Sequence, residues 1–441
     1  MAETVTSAFE QHALERLATT AGDGGNATRL RRDAYRSYEA MPLPSSETEE
    51  WRYTDVSELD LATFSLEGEE PFAKTLDDVP AKLQESMGDV GARAGLAIQH
   101  NSTLTLAHLE PDLDKAGVRL ESIDAALRDH PSLVEGRIHT AVPFDRTKFT
   151  ALHAAFRTGG TLVHVPKDVK VELPLQTFTY VDRDGLAVFP HTVLVAEEGA
   201  EVTYVDRYAS PDLQRVLSNA VVEIYAGRGS KVRYVALQDW GSGVTHLAVQ
   251  RAVVEQDADV RTLAVAFGGS LSRMEAESLL KGHGGSSEML GVYFGDADQR
   301  FDFRSIQDHV GNDTSSDLLY KGALKGHASA IYSGTVIIQA GAHRCNAYQT
   351  NRNVLLTETS KAFSIPNLEI LTNDPVRCGH AASVGPVDED TMFYIQSRGI
   401  PQKEAERLVV FGFFREVLDR VTIPEVRESV EATIERELET S

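Results

Sequence analysis

The sequence is poor in cysteine, lysine and tryptophan, and it holds no long apolar run. Two cysteines in 441 residues, Cys345 and Cys378, cannot build a disulfide framework. No stretch of eighteen apolar residues is present, so no membrane-spanning helix is predicted. The first residues, Met1 to Gln11, lack the basic start and apolar stretch of a secretory signal, which predicts a cytoplasmic protein. Positive charge is scarce: 43 basic residues face 66 acidic ones, a net charge of −23, and only a dozen of the basic residues are lysine. Such a surface repels nucleic acid and anionic membranes, which bind clustered Lys and Arg. It also predicts a halophilic host, whose salt screens the self-repulsion. Stability measured in urea should then fall sharply in low salt, and a midpoint indifferent to salt would contradict that expectation.

What is present is ample core material, 42% hydrophobic, in three regions of different periodicity. From Ser7 to Met41 the pattern is helical: Phe9, Ala13, Leu14 and Leu17 lie on one stripe, and Leu30, Ala34 and Tyr38 on a second. Gly22-Asp23-Gly24-Gly25 separates the two helices, and Pro42 and Pro44 end the second. Gly95 to Leu109 alternates as a short hairpin, and Leu120 to Leu127 reads as another helix. From about Phe156 to Leu371 the period becomes two, as in Leu162-Val165, Val193-Val195, Val202-Val205, Val221-Ile224 and Val232-Val235.

A longer rhythm overlies this alternation. Gly199-Ala200-Glu201-Val202 returns as Gly229-Ser230-Lys231-Val232, Asp257-Ala258-Asp259-Val260 and Ser286-Ser287-Glu288-Met289, with His327-Ala328-Ser329-Ala330 and Thr359-Ser360-Lys361-Ala362 continuing it. A small residue at a fixed corner about every thirty residues is what a coiled β-solenoid requires. A two-sheet sandwich gives no reason for a fixed long period. After Pro386 the pattern is helical again. Asp388 can cap a helix that ends at Arg398-Gly399, Pro401 opens a helix from Gln402 to Arg420 with Leu408, Val409, Phe411, Gly412 and Val417 near its apolar face, and a last helix runs from Pro424 to Leu438. The expected layout is an N-terminal helical region with a hairpin (1–150), a β-solenoid core (151–385) and a C-terminal helical domain (386–441).

Several motifs in this order resemble the SufB/SufD family. They are Gln307-Asp308-His309-Val310-Gly311-Asn312, Tyr332-Ser333-Gly334, Gln349-Thr350-Asn351, Pro366-Asn367-Leu368-Glu369-Ile370, Arg377-Cys378-Gly379-His380 and Phe393-Tyr394-Ile395-Gln396-Ser397-Arg398-Gly399-Ile400. Gly159-Gly160, Val165-Pro166 and Glu172-Leu173-Pro174-Leu175 fit the family's entry into its β-helix, and Glu50-Trp51-Arg52-Tyr53-Thr54 resembles a short N-terminal motif of SufD members. The resemblance implies a mainly β fold, a right-handed parallel β-helix flanked by helical regions. It implies a scaffold, not an enzyme, that pairs with a SufB-like paralogue and binds a SufC-like ABC ATPase through its C-terminal helices. A transient iron–sulfur cluster would be shared with the partner. A homodimer in isolation, flavin involvement and the electron donor stay open. No Gly-x-x-x-x-Gly-Lys-Ser/Thr loop is present, so the chain is not the ATPase. A SufB-type subunit would carry a Glu-His-Glu run where this chain has Cys378-Gly379-His380, and the SufD pattern fits instead.

His380 is the first candidate ligand, because a neutral imidazole suits iron and two cysteines fall short of the usual four thiolates. The resemblance places this His at the paralogue interface; the plainer alternative is a hydrogen-bonded structural histidine. Cys378, two residues away, would share a strand face with His380, unless it is only a small buried hydrophobe. His343 and Cys345 form a mirrored pair about one coil earlier and would converge on the same ion if the coil length fits. Gly282-His283-Gly284-Gly285 and Asp296-Ala297-Asp298 read as turns, Glu275 and Glu277 as solvated, Asp308 and His309 as structural, and Phe411, Phe413 and Phe414 as helix core. A β-helix carbohydrate lyase or hydrolase is the competing class, which would need paired acids in a cleft on the sheet face.

Overall fold

The computed structural model describes residues 8–66, 73, 75–79, 81–87 and 93–439; Ser7, where the first helical pattern begins, and the stretch before it lie outside them. From Glu201 onward the strands alternate between two sheets. One sheet takes Glu201–Ala209, Lys231–Asp239, Asp259–Ala266, Ser286–Gly295, Ser315–Leu324, Asn346–Leu355 and Arg377–Pro386; the other takes Val216–Ala226, Val244–Val254, Leu271–Leu280, Arg300–His309, Ser329–Ile338 and Lys361–Ile370. All pairings between these strands are parallel, so the chain is a β-solenoid with two strands per coil. In the first sheet Glu201, Lys231, Asp259, Ser286, Ser315, Asn346 and Arg377 stack on one another, which sets the coil at 27 to 31 residues.

The repeat read from the sequence is one corner of this coil. Asp168, Gly199, Gly229, Asp257, Gly284, Asp313 and Arg344 all have positive φ, between 54° and 70°. Only Gly, or Asn and Asp at modest cost, adopts that conformation readily, so the corner selects its residues by backbone geometry. Each corner is tied to the next: Gly229 N–H donates to Gln256 O at 2.8 Å, Asp257 to His283 O at 2.9 Å and Asp313 to His343 O at 2.9 Å. Three expected repeats depart from this column. Ser286, not Glu288, aligns with Asp259, and the quartets at His327 and Thr359 belong to the opposite corner, where Ser329 pairs with Lys361. A two-corner coil makes small residues recur at both corners, and a one-dimensional period does not tell them apart.

The sheets extend back past residue 150. The antiparallel hairpin Gly95–His100 and Thr103–Leu109 adds to the first sheet by parallel pairing with Leu175–Tyr180, while Arg119–Ser122 closes the second by pairing with Thr161–Val165. Leu120 therefore lies in a strand, and the helix expected from it starts at Ile123, where Ser122 Oγ accepts the Ala125 N–H at 3.0 Å.

Both sheets are covered on their outer faces, which is why many strands are buried at successive positions. The helices Gln402–Leu418 and Pro424–Glu439 lay Val410, Phe414, Val417, Val430 and Ile434 over Leu237, Val265, Phe294 and Leu319 of the first sheet. The buried face of the first of these helices thus centres on Val410 and Phe414, whereas Leu408 and Gly412 are exposed; Pro401 is its N-cap. The helices Gln11–Ala21, Gly25–Ala40 and Lys148–Phe156 cover Leu217, Leu247 and Leu271 of the second sheet and Phe189 just before its strand His191–Ala196. Gly22 ends the first helix with φ +68°. No described helix is long and apolar enough to cross a membrane.

The Glu50–Thr54 motif locks the N-terminal segment onto the second sheet. Trp51 lies 3.8 Å from the Arg273 guanidinium, measured to the ring centroid, and Thr54 donates to Asp302. Arg273 pairs with Asp302 and, at 2.7 Å, with Glu275. Glu275 and Glu277, expected to be solvated, are instead drawn into this network: Arg146 binds both, and Arg251 reaches Glu277 at 3.2 Å. They point outward from the coil, but the outside of this sheet is covered. Paired acids neutralised by three arginines leave no free carboxylate pair there for glycoside chemistry.

Candidate functional site at the open end of the solenoid

Both sheets end at the same coil, on Lys361–Ile370 and Arg377–Pro386, and no described strand pairs beyond them. In earlier coils the inward positions are buried, as with Val336 and Ile338, or Ala347 and Gln349. In the last coil the same register places Leu368, Ile370, Cys378 and His380, which are half-buried or exposed. Apolar side chains line this end: Val376 is 70% exposed and Leu371 58%, with Ile370 next to Leu371 and Val384 near the far end of the last strand. A sheet edge with open main-chain groups and an apolar rim is a template for another strand.

Cys378 and His380 stand two residues apart on one strand and share its inward face, opposite Ala347 and Gln349. Gln349, beneath His380, is held by hydrogen bonds to Gly334 O at 3.3 Å and Asn367 O at 3.0 Å. Cys345 directly precedes the strand Asn346–Leu355, and its carbonyl accepts the Val376 N–H at 2.8 Å. Its thiol is fully buried, 3.3 Å from Thr314 Oγ1, which in turn lies 2.8 Å from His309 Nδ1. Cys378 packs against the same small cluster as Cys345. Burial pushes the Cys378 thiol pKa up, and the charge of Cys345 adds to the effect, so Cys378 is a protonated thiol at neutral pH until a metal or an acceptor takes its place.

The four candidates do not close on one point in this arrangement. His343 turns outward at the corner, where its Nδ1 meets Asp374 at 2.7 Å, while Arg344 beside it, at φ +54°, pairs with Asp313. Among the described residues a single group brings three potential metal-ligating side chains together, His139, His153 and His191, and it lies toward the other end of the second sheet. The remaining sequence candidates have structural settings. His309 is buried between Thr314 and Ser316, Asp308 accepts from Gln339 at 2.9 Å, and Phe414 is buried with Phe411 and Phe413 packed beside it. Gly282–Gly285 and Asp296–Asp298 form turns between strands.

The terminal coil and its motifs agree with the comparison to known families. The model of the SUF system FeS cluster assembly SufBD core domain matches residues 178–413, and that of the SufBD protein N-terminal region matches residues 16–177. The chain belongs to the SufBD family. Among relatives of this iron–sulfur cluster assembly family, the SufD protein of Bacillus subtilis is 31% identical over 93% of this chain and 93% of its own length. A SufBD family protein of Mycobacterium tuberculosis is 34% identical over 82% of this chain and 87% of its own. The protein is therefore an iron–sulfur cluster assembly protein and a SufD homologue, and the two family models meet at residues 177 and 178, inside the strand Leu175–Tyr180.

Proposed function

We propose that this SufBD family protein is a non-catalytic cytoplasmic scaffold whose terminal coil pairs with a SufB-like paralogue, with a nascent iron–sulfur cluster built across the junction. The observation that carries this reading is the terminal coil itself, which exposes Cys378 and His380 from the inward face of an uncapped, apolar-rimmed sheet edge. His380 contributes an imidazole nitrogen to iron, Cys378 offers a thiol once deprotonated, and the partner supplies the remaining thiolates. Cys345 is sealed one layer below and stands behind Cys378 as a reserve thiol, whereas His343 helps hold the corner through Asp374. In the absence of the paralogue the same edge serves a homodimer.

A SufC-like ABC ATPase docks on the C-terminal helices in this reading. The helix Glu389–Ser397, capped by Asp388 through the Thr391 N–H at 2.9 Å, buries none of its residues and presents Phe393, 74% exposed, and Tyr394 to solvent. Two exposed aromatics on a short amphipathic helix are typical anchors for a protein partner.

The role of His380 is tested by His380→Ala in the anaerobically assembled complex. The expected result is normal recovery of partners with iron and sulfide lowered about tenfold, on the order of the loss that follows removal of a metal-site group. Full iron and sulfide in that variant would remove His380 from the cluster site.

A further inference from the structure

Three histidines that none of the family motifs contains meet in the interior near the start of the solenoid. His139 lies in the segment after the helix Pro131–Val134, His153 on the helix Lys148–Phe156, and His191 at the head of the strand His191–Ala196. Their rings form a near-equilateral triangle with centroid separations of 4.9, 5.0 and 5.2 Å. All three are buried, His191 at 1% exposure. One ligand nitrogen from each lies within 4.8 Å of the other two.

The outer nitrogens show which way the lone pairs face. His139 Nδ1 is 3.3 Å from Val142 O, and His153 Nε2 is 3.1 Å from Pro190 O. A carbonyl only accepts, so each of these nitrogens carries the proton. His191 Nε2 lies 3.0 Å from Glu223 Oε2 and donates to that carboxylate. The inner nitrogens, His139 Nε2, His153 Nδ1 and His191 Nδ1, are then all unprotonated. Two of them face each other at 3.4 Å, and the third is a buried nitrogen with no hydrogen-bond partner. Lone pair against lone pair is repulsive unless a cation lies between them. Imidazoles fixed from behind by carbonyls and a carboxylate are the usual outer shell of a metal site. Two imidazole nitrogens on one tetrahedral zinc stand about 3.4 Å apart, given Zn–N bonds of about 2.0–2.1 Å.

Charge points the same way. Glu223 is fully buried, and its two oxygens accept the backbone N–H groups of His139, Thr140, Ala141 and Val142 at 2.7 to 3.0 Å as well as the His191 contact. Donors converge on both carboxylate oxygens, an arrangement that suits the ionised form. Arg157 is already paired with Asp124 at 2.8 Å, and Arg251, across from Glu223 in the sheet, with Glu277 at 3.2 Å. Glu223 therefore has no arginine of its own, and a cation on the inner nitrogens would balance it.

We propose that His139 Nε2, His153 Nδ1 and His191 Nδ1 form a three-nitrogen site for a divalent first-row transition metal of the zinc class, separate from the cysteines of the terminal coil. The ion pins the 139–142 segment, the Lys148–Phe156 helix and the second sheet to one another. A cavity of about 250 Å³ lined by His139, Ile138, Leu127, Val134, Arg31 and Arg157 meets the triangle at His139.

The test uses the full chain without a histidine tag, carrying Cys345→Ser and Cys378→Ser so that no thiol competes, stripped with a chelator and then loaded with zinc chloride or cobalt chloride. The expected result is one zinc retained per chain after dialysis and a rise in thermal midpoint with zinc. Cobalt should give the visible bands of a tetrahedral nitrogen–oxygen site. Zinc retention should fall at least tenfold in His153→Gln and in His139→Gln. If either variant fails to fold, the cysteine-free parent still decides the matter through its zinc stoichiometry and cobalt spectrum. A parent chain that keeps no zinc and gives only the spectrum of aqueous cobalt would overturn the proposal and leave the triangle as a neutral hydrogen-bonded core. Retention unchanged in both histidine variants would overturn it equally.

Discussion

Asp302→Ala is expected to cost about 3–5 kcal/mol of folding stability, measured by urea denaturation, because it strands a buried cation. Asp302 is 1% exposed and is the partner of Arg273, itself 2% exposed, as well as the acceptor for Thr54. Glu275 remains within 2.7 Å of Arg273 in the variant, but Glu275 is already shared with Arg146 at 3.1 Å. The damage would not stay local. Trp51 rests on the Arg273 guanidinium and on Phe149, with ring centroids 5.3 Å apart in the latter pair, so the seating of the Glu50–Thr54 motif depends on this pair of charges. Replacing both partners by apolar residues, as in Arg273→Met with Asp302→Leu, should recover most of the loss, since the buried pair contributes little beyond its own desolvation. A single variant within about 0.5 kcal/mol of the parent, the range of ordinary surface changes, would show that the motif around Trp51 is not anchored as described.

The second large effect concerns association. Val376→Glu combined with Leu371→Glu should abolish recovery of the pairing partner while leaving stability within about 0.5 kcal/mol. Both side chains are mostly in water in the single chain, so the charges cost little there. In a continuous sheet across two chains the same glutamates would be buried without partners, which is prohibitive for two charges of one sign. Size-exclusion chromatography of the purified chain and a pull-down from anaerobic lysate read the two outcomes. Undiminished pairing would move the interface away from the terminal coil.

Much of the fold was legible because backbone geometry restricts residue choice at a few places. The corner at Gly199, Gly229 and Asp257 needs positive φ, and the sequence shows it as small and acidic residues at a regular interval. Asp388 and Gly22 announce helix ends for the same kind of reason. What alternation alone could not reveal is which outward faces are covered. Glu275 and Glu277 look solvated until the N-terminal helices are laid over their sheet, and Leu408 looks buried until the helix Gln402–Leu418 is seen to seat Val410 and Phe414 instead.

The candidate site divides in the same manner. A shared face for Cys378 and His380 follows from their spacing on a strand. The separation of Cys345 from His343 does not, because it arises at the left-handed corner residue Arg344, which sends the histidine outward to Asp374 and the cysteine inward. The triangle of His139, His153 and His191 was not legible. No spacing rule joins a loop, a helix and a strand so far apart in the chain. One local sign existed, a lone histidine in the mostly apolar run Phe149–Phe156, where a buried polar group needs a partner.

On the proposed reading, this SufBD family protein completes a cluster site only with a partner at its terminal coil. The most direct measurement is anaerobic, high-salt co-purification of the tagged chain followed by iron and acid-labile sulfide analysis of the intact complex and of the chain alone. The expected result is a SufB-like protein and a SufC-like ATPase in the complex, iron and sulfide in comparable amounts there, and no sulfide on the isolated chain. A chain recovered alone from such a lysate, or a complex that never carries sulfide, would contradict it.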